Sequence, residues 1–332
     1  MGTFRDIVGH ERTISQLQSV VRSGKVSHAY LFAGDPGMGK RTLARAFAQT
    51  LQCTGRGEEP DACGRCAACR QAESDNHPDI ITWHHEKPKT FSVDDVRALV
   101  EDVQIKPFAE TSSYKIYILP DAQMMNQQAQ NALLKTLEEP PEYAILLLLT
   151  TNADAMLETI RSRCIVMNLR PIPGEKVRQF LVEKCQIPDY EAEIYEAFAQ
   201  NNLGRAITLT SSEDFRLMMD NAFEILTNIK SWPESTVITK ARALAQQKAL
   251  IGDYLDLFTI WYRDVLLFKA AMDPDAMILK SHVAEIRRAA ELSSYAGVET
   301  ILSAIERAGK RLTANVTAEL VMELLLLTMR DN

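Results

Sequence analysis

Two groups of residues in this chain have types and spacings suited to chemistry. The first is the run Gly34-Asp35-Pro36-Gly37-Met38-Gly39-Lys40-Arg41. Glycines at 34, 37 and 39 let backbone N–H groups approach phosphate oxygens, and a following helix N-terminus adds partial positive charge. Lys40 would reach the β- and γ-phosphates of a nucleotide such as ATP or ADP. The second group is Cys53, Cys63, Cys66 and Cys69, spaced C-x9-C-x2-C-x2-C. Thiolates at x2 spacing grip one tetrahedral ion, and a fourth from the preceding helix end closes the site. That pattern describes a structural Zn²⁺ with no open coordination position. The surrounding Thr54 to Pro60 is too polar to make a core, so a bound ion would supply the folding energy that apolar burial cannot. A disulfide suits a cytoplasmic protein less well, and a redox pair less again, because the two C-x2-C pairs share Cys66. His77, His84 and His85 lie nearby but are unnecessary beside four cysteines.

The phosphate loop departs from that of a working nucleotide hydrolase. The residue after the lysine should carry the hydroxyl that binds Mg²⁺. Arg41 stands there, and Thr42 comes one place late, about 100° further round the helix. A strand at Ile116 to Leu119 should be followed by a metal-binding acid; Pro120 occupies that place and Asp121 the next, water-activating one. With both protein ligands to Mg²⁺ missing, weak or absent hydrolysis is expected, and nucleotide binding stays open.

These residues need elements to hold them. Ala29 to Ala33 reads as a buried strand before the loop, and Leu43, Phe47 and Leu51 mark one face of the helix after it. An entry helix is expected before that strand, capped by Thr13 and striped by Ile14, Leu17, Val20 and Val21. Just ahead of it, Ile7 to His10 suits either a packed entrance or a cover over a bound base. Further strands are expected at Asp79 to His84, Lys115 to Leu119, Ile145 to Leu149 and Ile165 to Met167. Between them lie a helix capped by Ser92 with Asp95 and one over 127–139 capped by Asn126 and stopped by Pro140-Pro141. Strands alternating with helices predict a doubly wound parallel α/β domain over 1–170, carrying the cysteine module at 53–69. After the linker Pro171 to Gly174 the strand pattern ends. A small helical domain is expected over 171–211 and a helical domain over 212–332. The last helix, with Leu320, Val321 and Leu324 to Leu327, carries more apolar surface than one solvent-facing helix should, for burial in its own bundle or against a partner.

Composition bounds the class. The chain has 332 residues, 46% hydrophobic and 24% charged, the profile of a soluble globular protein of two or three domains. Its longest aliphatic run is far too short to span a membrane, and its first residues lack the apolar core of a signal peptide, so a cytoplasmic location is expected. A net charge of −7 argues for work on other proteins rather than on nucleic acid through a basic surface.

Taken together, the cysteine module after the phosphate-loop helix, the run Asn131-Ala132-Leu133-Leu134-Lys135-Thr136-Leu137-Glu138-Glu139-Pro140-Pro141, the triplet Ser162-Arg163-Cys164, the stretch Arg311 to Val316 and the leucine-rich last helix resemble subunits of the bacterial DNA polymerase III clamp loader. The resemblance runs over essentially the whole chain. It implies an AAA+ module with a small helical lid and a C-terminal helical collar that holds a five-subunit ring together. In that family the gamma/tau members hydrolyse ATP, whereas the delta-prime branch has decayed motifs. Arg41 and Pro120 make this chain resemble the delta-prime branch, with a gamma/tau-type motor using Thr42 and Asp121 as metal ligands as the alternative. A metal-bearing nucleic-acid binder is a third reading, disfavoured by the acidic balance. What the resemblance implies for sites is an arginine finger at Arg163, acting in trans on a neighbour's ATP site, and a sensor residue at Thr151. It also offers Arg205 as a second sensor, with Gly204 as the competing register. Implied partners are gamma/tau and delta subunits, and through them the sliding clamp and primed DNA of the replisome.

Overall fold

The computed structural model describes residues 2–84, 90–108, 112–273, 277–314 and 316–332. The chain divides into two compact units, one of residues 1–176 with 202–204 and one of 177–201 with 205–332. His85 and Asn315, both singled out from the sequence, lie outside the described residues.

In the first unit, five described strands make one sheet: β1 (Ala29–Ala33), β2 (Ile80–Thr82), β3 (Lys115–Leu119), β4 (Ala144–Thr150) and β5 (Ile165–Asn168). Their order is β2-β3-β4-β1-β5, and every pair is parallel. The helices are α1 (Glu11–Ser23), α2 (Lys40–Gln52), α3 (Ala67–Glu73), α4 (Val93–Val103), α5 (Gln127–Glu138) and α6 (Glu158–Arg161). Alternate strand residues feed two cores. Tyr30, Phe32, Ile118, Leu147 and Leu149 pack with Leu17 of α1 and Leu43 and Phe47 of α2. Leu31, Tyr117, Leu119, Leu146 and Leu148 pack with Val96 and Leu99 of α4 and Leu133 of α5. All seven residues of β4 are buried, as an aliphatic run covered on both faces requires. Register places Ala33 beside Thr150 and Asn168, so β1, β4 and β5 end together at the phosphate loop.

Local signals acted as expected at two helix starts. Ser92 and Asp95 form a reciprocal capping box, and the Asn126 side chain accepts from the Ala129 N–H. Thr13 does not cap α1; that helix begins at Glu11 after a left-handed His10, and Thr13 is buried inside it. The second strand is shorter than expected, Ile80–Thr82; after it Trp83 still donates its backbone N–H to the Ile118 carbonyl of β3 at 2.9 Å, and its indole N–H bonds the Asp95 carbonyl.

The second unit is helical: the remainder of α7 (Gly174–Cys185), α8 (Asp189–Ala199), most of α9 (Leu203–Thr210), α10 (Glu213–Asn228), α11 (Glu234–Gln246), α12 (Ile251–Ala271), α13 (Val283–Leu292), α14 (Tyr295–Thr313) and α15 (Ala318–Asp331). Helix α13 buries Ile286 and Ala290. Helix α15 is split in character: Val321, Leu325 and Leu326 are buried, whereas Leu320 and Leu324 are about half exposed.

Candidate functional site

The phosphate loop follows β1 directly. Gly34 extends the sheet by donating its N–H to the Thr150 carbonyl. Gly37 and Gly39 have φ of 83° and 80°, left-handed values that favour glycine, and Gly39 is the cap from which α2 starts. Lys40 is thus the first residue of that helix. Its ammonium folds back onto the loop, donating to the carbonyls of Gly34 and, at 2.9 Å, Asp35. Burial pushes the Lys40 pKa down, while the carboxylates of Asp121 and Asp35 pull it back up. Arg41 is exposed and Thr42 half-buried on successive faces of α2.

Asp121 is exposed and left-handed, φ 53°, immediately after Pro120 at the end of β3. Sequence reasoning passed over Gln123, which ties the two strand ends together: its amide N–H donates to Asp121 Oδ1 at 3.3 Å, and its Oε1 accepts from the Thr151 N–H at 3.1 Å. Thr151 follows the last residue of β4, beside the fully buried Thr150.

Asn202 and Gly204 also meet the loop. Asn202 Nδ2 donates to the Pro36 carbonyl at 2.7 Å, and the Gly204 N–H donates to the Gly37 carbonyl at 3.1 Å. A Cβ on Gly204 would lie 2.4 Å from that carbonyl oxygen. Residue 204 is therefore the one held against the phosphate loop, and it has no side chain to offer a phosphate. Arg205 pairs with Asp253 of α12, at 3.9 Å.

Arg163 stands between α6 and the edge strand β5, whose Ile165 and Val166 are exposed. Its guanidinium bonds the Thr159 carbonyl at 2.9 Å and Glu138 Oε1 at 2.8 Å. Glu138 belongs to the quoted Leu-Glu-Glu-Pro-Pro run but had no role in the sequence reading. Both side chains are over a third exposed, so the pair is weak and exchangeable.

The four cysteines converge. Their sulfur atoms all lie within 4.8 Å of one another, with Cys53–Cys66 and Cys63–Cys69 both at 4.0 Å. A tetrahedral ion with metal–sulfur bonds of about 2.3 Å needs sulfurs about 3.8 Å apart, so the group fits Zn²⁺. Gly64 is left-handed at φ 70°, which turns the chain between Cys63 and Cys66. The N–H groups of Cys63, Cys66 and Cys69 point at Cys53, Cys63 and Cys66 sulfurs respectively, at 3.3 to 3.4 Å. Such donors stabilise thiolates. Burial opposes ionisation of Cys66, but N–H donors from Cys69 and Thr54 and the Thr54 hydroxyl outweigh it and bring the thiol down to about 5. Burial and the Cys66 sulfur push Cys69 up to about 12. His77 is not among the ligands; its ring accepts from the Asp79 N–H.

A family model described as DNA polymerase III, delta subunit, matches residues 9–173. The DNA polymerase III subunit delta' of Bacillus subtilis (strain 168) is 30% identical over 326 residues, 96% of this chain and 96% of that one. The chain belongs to the DNA polymerase III clamp-loader family. The tau/gamma subunit of Haemophilus influenzae is 38% identical over 179 residues, covering 54% of this chain but 25% of that one. The chain thus spans about a quarter of that relative's length and nearly all of the delta' relative's. A solved structure of the Thermotoga maritima RuvB Holliday junction branch migration motor covers 69% of this chain and 67% of its own at 16% identity, with a TM-score of 0.43. The five-stranded parallel sheet with its phosphate loop after β1 is the doubly wound arrangement expected from the sequence. No helix among the described residues is long and apolar enough to cross a membrane.

Proposed function

We propose that this chain is a delta-prime-type subunit, a scaffold and activator of the clamp loader rather than its motor. The observation that carries the reading is the loop itself: Lys40 is seated on the phosphate loop, but Arg41 and Pro120 occupy the two places that should hold Mg²⁺. Gly204 against Gly37 adds to it, since the second sensor position then lacks a cation. The match to a delta' subunit along both whole chains supports the same assignment.

In this reading the chain sits in a five-subunit ring with gamma/tau and delta subunits in the bacterial cytoplasm, joined through residues 212–332. Arg163 enters a neighbour's ATP site and stabilises charge on the transferring phosphoryl group; such arginines raise rates by about 10³–10⁵. The exposed Ile165 and Val166 beside it suit that interface. The weak Glu138 pair holds the guanidinium until the neighbour's phosphates replace it. ATP-driven opening of the sliding clamp and its placement on primed DNA follow from the ring. The four cysteines hold a structural Zn²⁺, and the chain's own loop binds ATP or ADP weakly or without turnover.

The test is ATP hydrolysis by the purified chain, with Lys40→Ala as control. Turnover that depends on Lys40 would overturn the assignment and favour the motor reading, in which Thr42 and Asp121 serve the metal. No turnover, with Arg163→Ala lowering the ATPase and clamp loading of an intact reconstituted loader, is the expected result.

A further inference from the structure

One buried side chain of the cysteine module, Asp61, reaches the N-terminal segment. Asp61 lies two residues before Cys63 and is 4% exposed. A buried carboxylate must find donors, and those of Asp61 come mostly from the other end of the sequence. Its Oδ1 accepts from the Phe4 N–H at 2.9 Å and from the Ala62 N–H at 2.8 Å. Its Oδ2 accepts from the Arg5 N–H at 3.2 Å and from Arg5 Nε at 3.1 Å. Arg5 then reaches past it to the Ala62 carbonyl at 3.2 Å. One carboxylate thereby fastens the first two backbone donors of a short 3-10 turn, Phe4–Asp6, which Thr3 and Asp6 close from below with their own reciprocal capping bonds.

The fastened turn has a far end. Phe4 enters the same apolar core as Phe47 of α2, at 2% exposure. Four residues beyond the turn, His10 sets its Nε2 3.0 Å from the carbonyl oxygen of Met38, inside the phosphate loop. Between them Gly9, left-handed at φ 74°, passes so close to Ile172 that any Cβ would overlap it.

The geometry points to a role for the metal module as the clasp of the N-terminal segment. When the four sulfurs are gathered on an ion, residues 61–63 are held so that Asp61 meets Phe4 and Arg5. When they are not, the carboxylate loses its fixed position and Gly2 to His10 comes free, taking the His10 contact away from the phosphate loop. The metal module then acts on the loop without touching it. This inference rests on the reading of the cysteines as a metal site.

The experiment is residue-resolved amide hydrogen exchange on the full chain, with zinc content measured on each sample. The samples are the wild type, the wild type after chelation, Asp61→Asn and Arg5→Ala. In Asp61→Asn one acceptor oxygen becomes a donor facing donors. The expected result is retained zinc with exchange about ten- to a hundredfold faster at the Phe4 and Arg5 amides, the scale of a lost charged hydrogen bond, and faster exchange at the Met38 amide. The Leu146 amide of the central strand should not change. Chelation should release the same amides together with residues 53–69. Arg5→Ala, altered only at an exposed side chain, should move them in the same direction by less, and it serves the test if Asp61→Asn does not fold. Protection at Phe4 and Arg5 that survives chelation overturns the clasp, and so does exchange that rises equally at Leu146. Release at Phe4 and Arg5 with Met38 unchanged overturns the link to the phosphate loop. Wild-type protein without zinc would sink the metal reading separately, while Asp61→Asn still reports on the fastening.

Discussion

Gly204→Ala tests the closest approach at the candidate nucleotide site. The added Cβ would lie 2.4 Å from the Gly37 carbonyl oxygen, 2.7 Å from its Cα and 2.9 Å from its carbonyl carbon. Ordinary carbon contacts begin about 1 Å further out. All three neighbours are backbone, so no rotamer change relieves the overlap and the turn must lift. Forcing a methyl group into packed structure costs about 1–3 kcal/mol. Lifting also strains two hydrogen bonds, Gly204 to Gly37 at 3.1 Å and Asn202 to Pro36 at 2.7 Å, each contributing about 0.5–1.5 kcal/mol. Against this, alanine favours a helix interior over glycine by about 0.5–1 kcal/mol, though residue 204 is only the second of α9. The balance is about 1–3 kcal/mol against the docked turn, or about 5- to 150-fold more frequent opening. Amide exchange at residue 204, read beside a thermal melt, measures it. Exchange at 204 as slow as in the wild type, with an unchanged or higher melting temperature, would show that helix propensity outweighs the contact and refute the close packing of this turn on the phosphate loop.

Other consequences are as concrete. Arg163→Ala should leave the isolated chain within about 1 kcal/mol of wild-type stability, because its bridge to Glu138 is exposed on both sides; a large loss in a chemical melt would make Arg163 a structural residue first. Cys66→Ser should reduce bound zinc from one per chain to none, measured by elemental analysis, while the parallel sheet stays folded by circular dichroism. Asp102→Asn should flatten the acid limb of stability. Burial works against ionisation of Asp102, but the Tyr117 hydroxyl at 2.6 Å and Lys115 at 3.0 Å outweigh it and hold the carboxyl below its ordinary 3.8. A depressed folded-state value means the stabilisation is complete above the unfolded value and is lost as pH falls through the lower folded one. The wild type should therefore lose more stability than Asp102→Asn between pH 5 and pH 2, by about 1–3 kcal/mol; parallel pH curves in urea would reject the pairing.

Much of the architecture was legible in the residues because its signals are local. A strand buried on both faces must be an aliphatic run, and Ala144 to Thr150 is one. Caps at Ser92 and Asn126 satisfy orphan N–H groups three residues away, so sequence distance is spatial distance. The cysteine cluster was readable because three of its four sulfurs come from one short turn-bearing segment. The replacements at Arg41 and Pro120 were also visible, since the roles of those positions depend only on their offset from the lysine and from a strand end.

What the tertiary structure alone decided are contacts between residues far apart in sequence, where no spacing rule applies. The backbone approach of Gly204 to Gly37 is such a contact, and so is the pairing of Arg205 with Asp253. Gln123, bridging Asp121 and Thr151, looks in sequence like any polar residue of a turn; only parallel strands ending side by side give it two partners. Asp61 reads as one more acid in a polar stretch, and its meaning comes from four donors, three of them more than fifty residues away. Sequence determined which groups could bind phosphate and metal, because that chemistry is carried by residue type and local spacing. Which of those groups face one another was settled by packing, because burial brings together side chains that the order of the chain keeps apart.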